Sequence, residues 1–172
     1  MVKLVFFLLL SVNLYSSEIA IDEDSGFVFP YWRSMTLLNK YPLYSEDHRA
    51  YVDIYVDDLA KEPYILEEDD FPVGSIIIKP LYPKQKREDA SRLMIMMKMK
   101  KGYDSKNSDW WYGVYDGTGT TAHNKGKIES CIICHAEAED TDYLFSESVM
   151  FRILSQPVLK NQNSLHNPLK SP

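Results

Sequence analysis

Leu93-Met94-Ile95-Met96-Met97-Lys98-Met99-Lys100 alternates with a period of two. Successive side chains of an extended chain point to opposite faces, so Leu93, Ile95, Met97 and Met99 share one side and Met94, Met96, Lys98 and Lys100 the other. Three more segments repeat the pattern. Trp111, Gly113 and Tyr115 oppose Trp110, Tyr112 and Val114; Ile76 and Ile78 oppose Ser75, Ile77 and Lys79; Val52, Ile54 and Val56 oppose Tyr51, Asp53, Tyr55 and Asp57. Turn formers separate them: Phe71-Pro72-Val73-Gly74, Gly102-Tyr103-Asp104 and Asp116-Gly117-Thr118-Gly119. The reading is a mainly β, α+β domain built on an antiparallel sheet.

Helices are expected at the margins. Pro30 to Asn39 opens with a proline suited to a first turn and spaces Trp32, Met35 and Leu38 along one face. Ser146–Leu154 reads as a short helix. From Gln156 onward, Pro157, Pro168, Pro172 and several Asn predict a flexible tail over residues 156–172. No internal repeat is visible.

The bulk properties narrow the class. The chain has 172 residues, 45% hydrophobic and 13% aromatic, which suits one domain with a filled core. Seven Gly and nine Pro exclude a collagen-like or broadly disordered chain. With 19 Lys+Arg against 25 Asp+Glu the net charge is −6, which argues against nucleic acid as a partner because phosphates demand a basic surface. Lys3, the apolar run Leu4–Leu10 and the small residues around Ser16 and Ser17 read as a signal peptide over residues 1–16. That run is shorter than the ~20 residues needed to span a bilayer. The expected location is periplasmic.

The chemistry sits in Cys131-Ile132-Ile133-Cys134-His135. CxxCH is the attachment signal of c-type haem: two thiols add to the vinyl groups and the adjacent imidazole coordinates iron. One short turn must present both sulfurs and the ring to a single porphyrin edge. A structural zinc site would want four ligands, and no second Cys pair exists to supply them. A thioredoxin-like CxxC belongs early in a strand–helix unit, whereas only 37 residues follow His135 here. The late motif, with Met150 the only methionine after it, also departs from small electron-carrier cytochromes, and the alternation departs from helical-bundle ones.

With these segments in hand, the chain resembles the cytochrome P-460 family, which includes the β-sheet cytochromes c′. The resemblance rests on Cys131–His135 followed by Asp140-Thr141-Asp142-Tyr143-Leu144-Phe145, on Phe71-Pro72-Val73-Gly74-Ser75-Ile76-Ile77-Ile78-Lys79, and on Gly102-Tyr103-Asp104 with Asp109-Trp110-Trp111-Tyr112. Weaker likeness covers His48–Ala60 and Tyr31-Trp32-Arg33. It implies a haem domain over residues 27–155 with a sheet of about five antiparallel strands and flanking helices. It further implies a homodimer with one covalently attached haem c near the C-terminal end of the chain, His135 on iron and the other iron face open. Lys79 matches the position of the lysine that some relatives join to the porphyrin edge; the bland reading is a strand-end lysine reaching water.

Relatives either oxidise hydroxylamine, with a distal carboxylate to accept protons, or bind nitric oxide in an apolar pocket. Where oxidising relatives carry that acid, this chain has Met94–Lys101 with none. Asp104 is the nearest carboxylate, and Arg49 is a candidate distal cation or simply a solvated arginine. The classes left open are a nitric-oxide binder, a hydroxylamine-oxidising enzyme and an electron carrier with a soluble redox partner. The last is disfavoured because His48, His123 and His166 read as surface, hydrogen-bonding or tail residues rather than a sixth ligand. Trp110, Trp111, Tyr112 and Tyr115 read as sheet packing, and Glu67–Asp70 as a solvated loop.

Overall fold

Ile77 lies across from Met96, and Met96 across from Tyr112, so three neighbouring strands place their alternating residues in one row. The protein is described by a computed structural model over residues 26–156. The expected signal peptide, the tail beyond residue 156 and His166 lie outside the described residues. Within them the elements run β1 (Thr36–Leu37), β2 (Leu43–Ser45), β3 (Ala50–Val52), β4 (Tyr55–Val56), α1 (Asp58–Leu66), β5 (Ile76–Tyr82), β6 (Arg92–Lys98), β7 (Trp110–Asp116), β8 (Ala122–Gly126), α2 (Glu129–His135) and α3 (Ser146–Leu154).

All pairings are antiparallel, in the order β1-β4-β5-β6-β7-β8, with β3 on the second half of β5 and β2 outside β3. The sheet therefore has eight strands rather than about five, because short pairings at its margins add to the long central ones. The expected strand around Val52–Val56 is split at Asp53 and Ile54. Asp53 is buried and accepts hydrogen bonds from Asn39 and from the Arg87 guanidinium, while the Asn39 side chain accepts from the Ile54 N–H. Its two faces are nonetheless the expected ones, with Val52, Ile54 and Val56 together in one core and Tyr55 in the other.

Strand β5 does not stop at Lys79 but continues through Pro80 to Tyr82. Tyr55 and Val56 pair with Ile78 and Ile77, and Tyr51 and Val52 with Tyr82 and Leu81. Pro80 falls in the gap between those two partners, where its missing N–H breaks no ladder bond on that side.

Each face buries its own core. Phe27, Phe29 and Trp32 cover one, with Phe27 edge-on to Trp111 at 5.4 Å and Phe29 edge-on to Tyr115 at 5.3 Å. Full burial of such a ring contributes roughly 1.5–3 kcal/mol, which the buried Trp32 approaches and the half-buried Phe27 and Phe29 do not reach. The expected helix over Pro30–Asn39 is instead a single 3-10 turn, Trp32–Ser34, followed by β1. Trp32 and Asn39 of that segment are buried, Met35 and Leu38 are half-buried against the two cores, and Arg33 stacks on the Trp32 ring at 4.1 Å.

The second face holds Ile77, Met96, Trp110 and Tyr112, with Tyr64 of α1, Tyr143, Leu144, and Val149 and Met150 of α3 packed over it. Helix α1, which alternation does not announce, is capped by Asp57, whose side chain accepts the Ala60 N–H at 2.9 Å and the Ile76 N–H at 3.1 Å. Its end lies at Glu67, left-handed at φ 59°, and Glu67–Asp70 are exposed as expected. Helix α3 has the expected bounds, with Val149 and Met150 inward and Phe151 and Leu154 outward. No helix among the described residues is long and apolar enough to cross a membrane.

Candidate functional site

Between the second face, α2, α3 and the turn joining β2 to β3 lies a cavity of about 450 Å³. Its floor is sheet: Ile77 and Lys79 from β5, Met94 and Met96 from β6, Tyr112 from β7. Its other wall is the motif. Cys131, Cys134 and His135 occupy positions i, i+3 and i+4 of α2, which is the spacing that brings side chains to one helix face. All three line the cavity.

The imidazole is held in one orientation. His135 Nδ1 lies 2.6 Å from the Tyr143 carbonyl oxygen. A carbonyl can only accept, so Nδ1 carries the proton and Nε2 keeps its lone pair. The rings of Phe145 and Tyr112 pack at 5.4 Å and 5.6 Å from the imidazole. Burial, reinforced by the nearby Lys79 charge, pushes the His135 pKa down to about 4, so the ring is neutral at physiological pH. Burial also raises both thiols, Cys131 and Cys134.

Lys79 reaches into the same space. Its Nζ lies 6.0 Å from the Phe145 ring centroid, and burial lowers its pKa, against the opposing pull of Cys134 and Asp47. The Tyr112 hydroxyl is buried with no hydrogen-bond partner among the described residues, and burial raises its pKa.

Not every residue singled out by sequence arrives here. Asp104 does not line the cavity; its carboxylate accepts from Asn107 Nδ2 at 2.8 Å, and its N–H donates to Asp109 Oδ1 at 2.7 Å, within the Gly102 turn. Arg49 is exposed, left-handed at φ 49°, and closes the turn after β2 through its N–H to the Glu46 carbonyl. Two residues beside it do line the cavity: Asp47 and His48. The His48 pKa is lowered by burial and then by Lys79. Nothing in the local sequence marks Asp47, and His48, expected at the surface or in a hydrogen bond, lines the cavity instead, since their place depends on how β2 and β3 fold over the sheet. His123 is exposed. Met97 and Met99 belong to the opposite core, which leaves Met94 and Met96 as the methionines of the cavity.

The donor set suits a haem. Two thiols and a neutral imidazole sit on one helix face, over a floor that is chiefly apolar, in a space within the ~300–1,000 Å³ typical of cofactor sites. A bare metal ion fits poorly, since the described residues contain no group of three or more His, Cys, Asp and Glu able to hold one. Comparison with known proteins agrees with the haem reading. No curated protein matches the chain. The family model for Cytochrome P460 matches residues 31–146, a span that starts beside the Trp32 turn and ends at the first residue of α3. That match covers more than half of the sequence: the chain belongs to the cytochrome P460 family, for which haem is the implied cofactor and with which Cys131 and Cys134 are consistent as its covalent anchors.

Proposed function

We propose that the protein is an exported mono-haem c-type cytochrome that binds a small nitrogen species, nitric oxide first among them, at an open iron face. In this reading residues 1–16 direct export to the periplasm, residues 27–155 form the haem domain, and the working unit is a homodimer. Cys131 and Cys134 carry the haem, and His135 Nε2 is the axial ligand. The observation that carries the reading is the His135 Nδ1 contact with the Tyr143 carbonyl, which reserves Nε2 for a metal inside a cavity lined by the two thiols.

Bound haem supplies an iron with a vacant coordination position. The chain's residues decide what that position favours. Met94, Met96, Ile77 and Val52 make the lining predominantly apolar, which suits a neutral diatomic ligand that needs no proton transfer. Asp104 is held in its turn, away from the cavity.

Hydroxylamine oxidation is the second reading, and one observation favours it: Asp47 and His48 line the cavity and could accept the protons released. The test is a titration of the purified ferrous protein with nitric oxide beside steady-state oxidation of hydroxylamine with an artificial acceptor. Tight nitric-oxide binding with slow turnover is expected. Rapid turnover would place the protein among the oxidising enzymes. A ferrous spectrum with sharp split bands and no ligand binding would mean a six-coordinate electron carrier.

A further inference from the structure

Lys98 is the residue that the alternating pattern fails to explain. It sits at the end of β6 on the cavity side, with its side chain only 9% exposed, and it meets Asp142, 1% exposed, at 2.6 and 2.7 Å to the two carboxylate oxygens. A buried pair this close is held by more than itself. The Asp142 carboxylate also accepts the Phe71 N–H at 3.0 Å, the Asp142 carbonyl accepts from Trp110 Nε1 at 2.7 Å, and Lys98 Nζ stands 5.0 Å over the Trp110 ring.

The next residue along is Tyr143, whose carbonyl holds His135 Nδ1. Asp142 and Tyr143 are both left-handed, at φ 51° and 64°, a conformation uncommon for side-chain-bearing residues, which needs enforcement most at the bulky Tyr143. The contacts on Asp142 supply that enforcement from the sheet. The Tyr143 N–H, bonded to the Ala138 carbonyl at 2.8 Å, and its hydroxyl, bonded to the Lys106 carbonyl at 2.9 Å, secure the other side.

We propose that Lys98 and Asp142 are positioning residues for the proximal histidine: their buried ion pair locks the left-handed Asp142-Tyr143 turn, and the turn aims the Tyr143 carbonyl at His135 Nδ1. This rests on His135 being the axial ligand. A strong, well-aimed bond to Nδ1–H makes Nε2 a better donor, as partners beyond the first ligand shell do at metal sites generally. Neither residue touches the cavity, so both act on the iron only through the imidazole.

The test uses the haem-loaded protein. Lys98→Met and Asp142→Asn each break the pair; Lys98→Arg preserves it; Lys98→Met with Asp142→Leu removes both charges together, which buried pairs tolerate better than losing one partner. The readouts are the iron–histidine stretching band of the ferrous protein by resonance Raman and the midpoint potential. In the single variants the band should move to lower frequency and the potential should rise, with Lys98→Arg close to wild type. If the single variants fail to hold haem, the double variant must show the same two shifts. Haem-loaded variants whose band and potential match wild type would overturn the proposal while leaving His135 on iron. A wild-type protein without any iron–histidine band would instead remove the axial-ligand reading, and this inference with it.

Discussion

The Lys79 ammonium lies 6.0 Å from the centroid of the Phe145 ring. The same ring lies 5.4 Å from the His135 imidazole, so a mid-strand lysine on β5 and the end of α2 meet across one aromatic side chain. A buried amine with a lowered pKa has more of its lone pair available than a solvated lysine. Lys79 is therefore expected to bond to the porphyrin edge when an oxidant such as peroxide is supplied. The new N–C bond replaces one N–H and one ring C–H, while two protons leave and the oxidant takes two electrons. Intact masses of the haem-loaded wild type and Lys79→Ala should differ by less than the substitution accounts for, because hydrogens are lost from the wild type on bonding. A difference equal to the substitution alone would show the amine unbonded.

Haem attachment should depend on both thiols. Denatured protein on a gel should keep haem-linked peroxidase stain, and Cys131→Ala with Cys134→Ala should lose it. His135→Ala should keep the stain but change the optical spectrum, since the thioethers and the axial bond are separate attachments. Purified protein that contains zinc and no haem would end the haem reading.

Met94 offers a way to alter the chemistry. It lines the cavity from a partly exposed position, so a carboxylate there can be hydrated at one end. Met94→Glu is expected to raise hydroxylamine turnover toward the ~10²–10⁴ that a positioned general base commonly contributes. Asp104→Ala should leave turnover unchanged. Collapse of turnover in Asp104→Ala would show that the Gly102 turn opens toward the cavity.

Asp57 gives a pH-dependent prediction. Burial raises its carboxyl above the usual 3.8, outweighing the N–H groups of Ile76 and Ala60 that favour the charge. The folded state then holds the proton more tightly than the unfolded chain, so this contribution to stability is full below 3.8 and fades as pH rises through the folded value. Asp57→Asn keeps an acceptor without the charge. Its stability in urea should match wild type in acid and exceed it at neutral pH. Asp57→Ala, which loses the cap, should be less stable by about 1–2 kcal/mol at either pH. An Asp57→Asn advantage that shrinks as pH rises would contradict the assignment.

How much of this was readable without coordinates depends on the range over which the residues interact. The faces of Ile76–Lys79, Leu93–Lys98 and Trp110–Tyr115 were legible because strand alternation is a local property, and CxxCH because its spacing is its chemistry. Trp32, Met35 and Leu38 imitate a helical stripe, yet the backbone turns once and then extends, so Trp32 and Met35 pack on one core and Leu38 on the other. Helix α1 carries Pro63 in its interior, which masks it, and its cap Asp57 resembles any strand-end aspartate. Strand β8 is almost wholly exposed and offers no alternation to read. Nothing near Lys98 in sequence announces its partner, because Asp142 lies far along the chain and is brought close only by the fold.

The order of the elements bears on how the molecule matures. Every strand pairing among the described residues lies within 36–126, before the first residue of α2, whereas both thiols, the imidazole and the loop that steers it come afterwards. The ladder needs no cofactor for its hydrogen bonds, but one of its faces, covered only in part by α1, is completed when residues 129–154 fold down on it. Amide exchange on cofactor-free protein should thus find β5, β6 and β7 slow and the α2–α3 region fast, and loading with haem should slow the latter most. The prosthetic group would act late, fastening residues 129–154 onto a sheet already assembled.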